Sequence, residues 1–404
     1  MFQPLLDVFA HSTHLPQAPQ KKPLKLGLKW YGDCEDFKGW CFYHILNSHY
    51  DISFTDKNTC DLFLRGFLFD DKELIECTKL RMMFMGENAR IDFNLYDFGM
   101  GFDDLNFHDR YLRVPLYYQS FYWFLHIITN ASNSPFKLDM AQETLHSPLI
   151  LHIPHASTST KISFFATYPH LNALAREQKN PLERDFASFV ASNWEAPMRN
   201  ASYQKLNDYR PVAGGGRVFN TTGKPVSNKH EFLSQYKFNL CFENSLGMGY
   251  TTEKIVDAYF AHTIPIYWGN PLVHLDFNPK SFVNVHDFDN LDEALDFVRY
   301  LDTHDNAYLE MLHAHPLNTS EGKPRFCHDL SFKVILDFLI NAIESPHIYH
   351  EQINVSSKSL YTPDRTSLLE LFSGREHLHM AFKKLRAKTR SMLKTAAKTL
   401  RIIH

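Results

Sequence analysis

Residues 236–269, YKFNLCFENSLGMGYTTEKIVDAYFAHTIPIYWG, decide the fold of this chain. The stretch begins with an apolar run at 237–242 that has the length of a buried strand. A loop with two glycines follows, then an amphipathic helix, and then a second strand pattern at 263–268. The order of strand, glycine loop, helix and strand is typical of an α/β sheet, in which ligands bind beyond the carboxyl ends of the strands.

Polar residues gather where this strand gives way to the helix. They are Glu243, Asn244, Tyr250, Glu253 and Lys254. A lysine at a helix N-terminus can neutralise a diphosphate, and a neighbouring carboxylate can accept hydrogen bonds from sugar hydroxyls. We expect Thr251 or Thr252 to cap this helix. The alternative to a ligand site is a capping box in which Glu253 and Lys254 form a surface pair.

Composition indicates a globular chain of about two domains with an unusual tail. The 404 residues carry a net charge of −3, yet residues 375–404 alone hold nine basic residues and one acid, which leaves −11 on residues 1–374. An acidic body argues against a nucleic-acid binder. No secretory signal, no apolar run of membrane-spanning length and no CxxC pair is visible, so we expect a cytosolic protein with reduced thiols.

The first half of the chain alternates strand and helix patterns from residue 24 to residue 117, which predicts a largely parallel sheet. Glu87 comes directly after the apolar run 80–85 and Gly86. An acid at this place lies at the carboxyl edge of the sheet, where a partly desolvated carboxylate can act as a general base towards a hydroxyl. The alternative is a surface carboxylate that caps the following turn.

In the second half, Arg199 falls in the first turn of a helix that follows the strand pattern 186–191. Its guanidinium and the helix dipole can both meet a phosphate, although an ordinary surface arginine is the alternative. The three glycines at 214–216 lack the residues of a phosphate loop and predict a flexible turn. The acids at 103–104 and 287–289 resemble a metal-binding pair, but the second set precedes a helix, so we predict no metal site.

The last residues have a helical period of apolar side chains, 382–403, with basic residues between them. Such a basic amphipathic helix suits an anionic membrane surface. Self-association through the apolar face and a solvated tail are the alternatives.

Four blocks together resemble the bacterial α-1,3/1,4-fucosyltransferases of glycosyltransferase family 10, which build Lewis-type antigens. The blocks are 242–244 with 268–269, Gly86-Glu87-Asn88, 186–199 and 278–287. The resemblance covers about residues 24–345. It implies a GT-B fold, with two Rossmann-like domains facing across a cleft plus the basic C-terminal helix. It also implies inverting transfer of L-fucose from GDP-β-L-fucose to N-acetylglucosamine of N-acetyllactosamine-type glycans in lipopolysaccharide O-antigen.

The resemblance also divides the chain. It implies an acceptor-binding domain at 1–155, a GDP-fucose-binding domain at 156–330, a helix at 331–350 that packs back on the first domain, and a linker with the basic tail at 351–404. The enzyme would be cytoplasmic and peripheral to the anionic inner membrane through residues 375–404. A transferase for another nucleotide sugar and a non-catalytic glycan-binding protein are the alternatives.

By the matching motifs, Glu87 takes the place of the general base, and Arg199 and Lys254 fall where the family holds the diphosphate. Asn244, Tyr250 and Glu253 fall at donor-contacting positions, and which of the last two meets ribose and which fucose is left open. We expect that no cofactor is required and that Mn²⁺ or Mg²⁺ at most stimulates the reaction. The heptad repeats that often precede the tail in relatives are absent, so dimer formation is open. The aromatic stretch after Tyr118 differs from that of relatives in a region tied to acceptor choice, so the choice between 1,3 and 1,4 linkage is open as well.

Overall fold

The structure is a computed structural model that describes residues 15, 18–66, 74, 77–120, 180–320, 323–324 and 331–349. The chain divides into two units, Met1–Glu351 and Gln352–His404, and every described residue lies in the first. The predicted tail helix and the predicted boundary at residue 155 therefore lie outside the described residues. Among the described helices, none is long and apolar enough to cross a membrane.

The first sheet has six strands, all parallel, in the order β2-β1-β3-β4-β5-β6. All residues of β3 and β4 are buried, because parallel strands carry helices on both faces. The strands are β1 Lys22–Lys29, β2 Tyr50–Thr55, β3 Leu62–Gly66, β4 Leu80–Phe84, β5 Phe98–Gly101 and β6 Tyr111–Arg113. The short helices α1 Cys34–Phe37 and α2 Cys41–Asn47 connect β1 to β2, and residues 116–120 begin a further helix.

The second sheet has five parallel strands in the order β11-β10-β9-β7-β8. Its strands are β7 Asp185–Phe189, β8 Val212–Gly214, β9 Tyr236–Phe242, β10 Ile264–Trp268 and β11 Val283–Asn284. Its helices are α3 Pro197–Tyr209, α4 Lys229–Leu233, α5 Glu253–Phe260, α6 Leu291–Thr303 and α7 Asp305–His313. A small hairpin, β12 Thr319–Ser320 and β13 Lys323–Pro324, precedes the last described helix, α8 Phe332–Glu344.

Both sheets have the same topology. The first strand of each, β1 or β7, lies between the second strand on one side and the third on the other. The strand order therefore reverses between β1 and β3 and again between β7 and β9. Such a switch point opens a crevice at the carboxyl ends of the strands, which is where open α/β sheets bind ligands.

One apolar core joins the two halves. It contains Leu26 and Leu64 of the first sheet, Ile255 and Tyr259 of α5, and Leu336 of α8. A second core fills the space under the second sheet. Since α5 and α8 bury residues in the same core as the first sheet, the two halves are in apolar contact.

Helix α8 returns the chain to the first sheet. The ring of Phe338 lies edge-on to Phe98 of β5 at 6.2 Å, and Lys22 at the start of β1 pairs with Glu344 at 2.5 Å. The side chain of Ser331 accepts a hydrogen bond from the N–H of Val334 and so caps the helix.

Candidate active site

The carboxyl edges of the two sheets meet at the loops that follow β4 and β9. Asn88 donates from Nδ2 to Oγ of Ser245 at 2.8 Å and to the carbonyl oxygen of Leu246 at 3.1 Å. A Cβ at Gly247 would lie 2.4 Å from Oδ1 of Asn88, so the close approach requires glycine at this position. Asn88, which follows the predicted base Glu87, therefore holds the glycine loop after β9. That loop is the one predicted to contact the donor.

Glu243 makes the central side-chain contacts of this loop. The sequence predicts it only as the polar end of a strand, without a role of its own. Its side chain is fully buried, and its carboxylate accepts bonds from the N–H and Oγ1 of Thr252 at 2.8 and 2.7 Å. It also pairs with Nζ of Lys254 at 2.9 Å. Gly269 makes room for this side chain, because a Cβ there would lie 2.4 Å from Cγ of Glu243.

Lys254 is therefore fixed inside the site and does not form the surface pair of a capping box. Burial works to lower the pKa of its ammonium, but the carboxylates of Glu243 and Glu253 outweigh burial and raise it. The group stays protonated throughout the neutral range. Its Nζ also lies 3.6 Å from Oε1 of Glu253, so two of the predicted donor residues lie side by side.

The predicted threonine cap of α5 is wrong. Thr252 occupies the N-cap position, but its side chain makes no capping hydrogen bond, because its hydroxyl donates to Glu243. Hence no side chain at the N-cap satisfies the first-turn N–H groups of α5. These donors and the positive end of the helix dipole are the features of an anion site.

Arg199 is a buried cation with no carboxylate partner among the described residues. It is 2% exposed; Nη1 donates to Oδ1 of Asn244 at 2.8 Å, and Nη2 donates to the carbonyl oxygen of Asn193. Its Nε has no hydrogen-bond partner in the ranges that the structure describes. Burial lowers the pKa of the guanidinium, and the attraction of Glu243 opposes that change. An uncompensated buried charge is costly, so the arrangement favours an external anion as the counterion.

Tyr250 is a buried residue that packs against the first domain. It is 4% exposed, and its ring meets Phe102 of the first domain edge-on at 5.3 Å. Burial, followed by the charge of Glu243, raises the pKa of its hydroxyl to about 12, and Glu87 adds to the rise. The hydroxyl therefore stays protonated. Because Glu87 contributes to this rise, the predicted base lies close enough to the donor loop to act on it electrostatically.

Glu87 itself is exposed and follows β4 at the carboxyl edge. Among the described residues its carboxylate makes no hydrogen bond or ion pair; only its backbone carbonyl oxygen accepts a bond, from the N–H of Ala89 at 2.6 Å. Its oxygens are therefore available to a substrate hydroxyl.

Glu253 lies at the rim with a half-exposed side chain. Burial works to raise the pKa of this carboxyl, but Lys254 and Lys229 outweigh burial and lower it. Lys229 is held by Asp257 at 2.6 Å. A charged carboxylate at the rim can accept hydrogen bonds from hydroxyl groups of a sugar.

The other candidate motifs have structural partners. Asp103 pairs with Arg90 at 2.6 Å, and Asp287 accepts a bond from Asn284 at 2.7 Å, whereas Asn290 caps α6. No three His, Cys, Asp or Glu side chains gather into a metal site within the part of the chain that the structure describes.

The predicted flexible turn at 214–216 is not what the structure shows: Gly214 ends β8, Gly216 lies in the bend that follows, and both are tightly packed. A Cβ at Gly214 would lie 1.7 Å from the carbonyl oxygen of Phe219, and one at Gly216 would lie 2.1 Å from that of Ala191. These glycines permit close backbone packing at the ends of β7 and β8.

Comparisons with known proteins agree with this geometry. Residues 180–317 match the family model "Glycosyltransferase family 10 (fucosyltransferase) C-term", and residues 30–122 match "Alpha-(1,3)-fucosyltransferase FucT N-terminal domain". The chain is 47% identical over 372 residues to the "Alpha-(1,3)-fucosyltransferase FucT" of Helicobacter pylori, which covers 90% of this chain and 75% of that protein.

Solved structures give the same result. A crystal structure of an α1,3-fucosyltransferase superimposes with a TM-score of 0.74 at 47% identity, over 87% of this chain and 99% of that one. A second, of an α1,3-fucosyltransferase with GDP-fucose, gives 0.72 at 47% identity over 87% of this chain and 100% of the other. The predicted α/β class and GT-B fold are confirmed.

Proposed function

This chain belongs to glycosyltransferase family 10, and we propose that it is an inverting α-1,3-fucosyltransferase that uses GDP-β-L-fucose. The acceptor is a hydroxyl of N-acetylglucosamine in an N-acetyllactosamine-type glycan. The observation that carries the proposal is the buried Arg199, at the same sheet edge as Lys254; within the described part of the chain no carboxylate pairs with its charge. Two cations and a helix N-terminus can hold a diphosphate.

The residues on the donor side stabilise the negative charge that develops on the leaving group, GDP. When the bond from C1 of fucose to the diphosphate breaks, the electron pair goes to the phosphate oxygen, and negative charge grows there. Arg199 and Lys254 then stabilise the departing GDP more strongly than the bound donor, which lowers the barrier. Asn244 orients Arg199, while Tyr250 and Glu253 offer hydroxyl and carboxylate groups to the sugars of the donor.

On the acceptor side Glu87 acts as the general base. It takes the proton of the attacked hydroxyl as the oxygen bonds to C1 from the face opposite GDP. Attack from that face converts the β-linkage of the donor into the α-linkage of the product.

One experiment tests the donor and the linkage. The protein is incubated with GDP-fucose and with type 1 or type 2 disaccharide acceptors, and the linkage of the product is analysed. We expect α-1,3 transfer to the type 2 acceptor. Product with GDP-mannose or a UDP-sugar but none with GDP-fucose would favour the second candidate, a family member with another donor.

We also propose that no metal ion is obligatory, because the diphosphate charge is met by Arg199 and Lys254. Activity should persist after dialysis against EDTA, and added Mn²⁺ or Mg²⁺ should at most stimulate. Complete loss with EDTA and recovery with Mn²⁺ would overturn this assignment.

The proposal also covers the product of the reaction and the location of the enzyme in the cell. The acceptor chain belongs to lipopolysaccharide O-antigen, so the product is a Lewis-type antigen, and the enzyme works at the cytoplasmic face of the inner membrane. The support is the basic amphipathic pattern at 375–404. Deletion of those residues should leave an active enzyme that no longer sediments with anionic vesicles, and unchanged sedimentation would contradict the membrane role.

A further inference from the structure

Tyr31 stands at the carboxyl edge of the first sheet, two residues beyond the end of β1. It is 37% exposed, more than any other aromatic residue in the described parts of 18–120. A single exposed ring is ordinary on a protein surface, so the meaning of this one depends on where it lies and what holds it.

Two glycines leave the space that this ring occupies. A Cβ at Gly66, the last residue of β3, would lie 2.6 Å from Cε2 of Tyr31. A Cβ at Gly86 would lie 2.4 Å from its hydroxyl oxygen. The ring therefore reaches across the carboxyl ends of β3 and β4, and its hydroxyl ends beside the residue that precedes Glu87.

Two indoles hold the ring rigidly. Trp40 stacks on it at 5.9 Å with the planes 22° apart, and Trp30 meets it edge-on at 5.5 Å. A ring fixed by its neighbours loses little conformational freedom when a ligand binds, so its contacts contribute to affinity with a small entropic cost.

We propose that Tyr31, backed by Trp40, is the platform on which a pyranose ring of the acceptor packs. The negatively polarised face of an aromatic ring attracts the C–H groups on the apolar face of a sugar. A sugar on this platform would have its hydroxyl groups beside Glu87. The inference rests on the proposed function, since it gives that reaction a residue that positions the acceptor for the base.

The experiment measures acceptor binding and transfer separately. Binding of N-acetyllactosamine to the full-length protein in the presence of GDP is followed by saturation-transfer NMR, and fucosyl transfer is followed by steady-state kinetics. Tyr31→Ala should raise the acceptor KM about tenfold and weaken the NMR signal, because the apolar contact is lost. Tyr31→Phe keeps the ring and should behave like the wild type.

Controls separate this role from a folding defect. Tyr31→Leu keeps volume at the site and should fold, yet it should lose acceptor affinity as Tyr31→Ala does. All variants should keep wild-type affinity for GDP-fucose and the wild-type rate of GDP-fucose hydrolysis without acceptor. Tyr300→Ala removes an exposed aromatic ring on α6 of the other domain and should change neither acceptor quantity.

An unchanged acceptor KM and NMR signal in both Tyr31→Ala and Tyr31→Leu would overturn the platform, as would a Tyr31→Phe variant as impaired as Tyr31→Ala. The proposed function fails differently. A wild-type protein that binds N-acetyllactosamine but transfers no fucose contradicts that function, while the loss of binding in Tyr31→Ala still supports the platform. A wild-type protein that does not bind the disaccharide contradicts the platform directly.

Discussion

At the scale of single residues, the division between acceptor and donor sides is the most direct consequence of the geometry. Glu87 extends from the first sheet without a partner for its carboxylate among the described residues, and Arg199 is buried in the second. Each should therefore affect a different step of the reaction.

Replacing Glu87 by Gln should lower kcat by roughly 100- to 10,000-fold, because general base catalysis contributes factors of this size. The amide keeps the shape of the side chain but cannot accept the proton. GDP-fucose affinity, measured by titration calorimetry, should stay close to that of the wild type. A variant that loses donor affinity instead would place Glu87 on the donor side.

Lys254 has two roles that a pair of variants can separate. Lys254→Met should destabilise the fold by about 3 kcal/mol, because the buried carboxylate of Glu243 loses its counterion. In the double variant with Glu243→Gln the lone charge is gone, so much of the melting temperature should return. Donor affinity should remain weaker by an order of magnitude or more in both variants, since a charge-assisted contact contributes about 1.5–3 kcal/mol. Wild-type donor affinity in the double variant would contradict the diphosphate role.

Sequence reasoning could place Arg199 and Lys254 at one sheet edge, because polar residues that follow the strands of a parallel sheet share that edge; their role towards the donor stays a prediction. It missed Glu243 and the burial of Tyr250 for a physical reason. The partners of Glu243 depend on the turn between β9 and α5, and the ring against Tyr250, Phe102, comes from the other domain. Contacts between distant segments leave no local pattern in a sequence.

At the scale of elements, the loop between β9 and α5 joins the two domains. Gly249 has a φ of +76°, and a Cβ there would lie 2.4 Å from the carbonyl oxygen of Phe102. Its N–H donates to Oδ1 of Asn270 at 2.8 Å. Both the backbone conformation and the space therefore require glycine at this position.

Gly223 provides a matched control for this position. Its φ is +79°, but nothing lies within 4 Å of the place where its Cβ would be. Gly223→Ala should therefore cost only the left-handed backbone strain, about 1–2 kcal/mol. Gly249→Ala should lower the melting temperature further and also raise the KM for GDP-fucose, because the loop must move away from Phe102. Equal effects of the two substitutions on stability and activity would show that the contact with Phe102 does not matter.

Strands were easier to predict than the contacts of loops. The runs at 80–85 and 237–242 became β4 and β9 with small shifts at their ends, because fully buried strands leave continuous apolar sequences. The glycines at 214–216 suggested flexibility, but here they allow the backbones of neighbouring segments to touch. A sequence shows that a side chain is missing and does not show which atom takes its place.

At the scale of the whole molecule, a buried ion pair links the two halves in addition to their shared core. Arg113 at the end of β6 binds Asp276 of the second half through two hydrogen bonds, of 3.1 and 2.5 Å. The side chains are 12% and 3% exposed. Burial works to lower the pKa of the Arg113 guanidinium, but the attraction of Asp276 outweighs burial and raises that pKa.

A double-mutant cycle measures how firmly this pair joins the halves. Arg113→Ala and Asp276→Ala should each lower the free energy of unfolding by about 3–5 kcal/mol, because each leaves an uncompensated buried charge. The double variant should lose clearly less than the sum of the two. The surface pair Lys205–Asp292, with side chains 44% and 66% exposed, is the control and should show a coupling below about 1 kcal/mol. If the geometry between the halves also sets the distance from Glu87 to the donor, the single variants should lower kcat more than donor affinity. A coupling no larger than that of the surface pair would mean that the apolar core alone holds the two halves together.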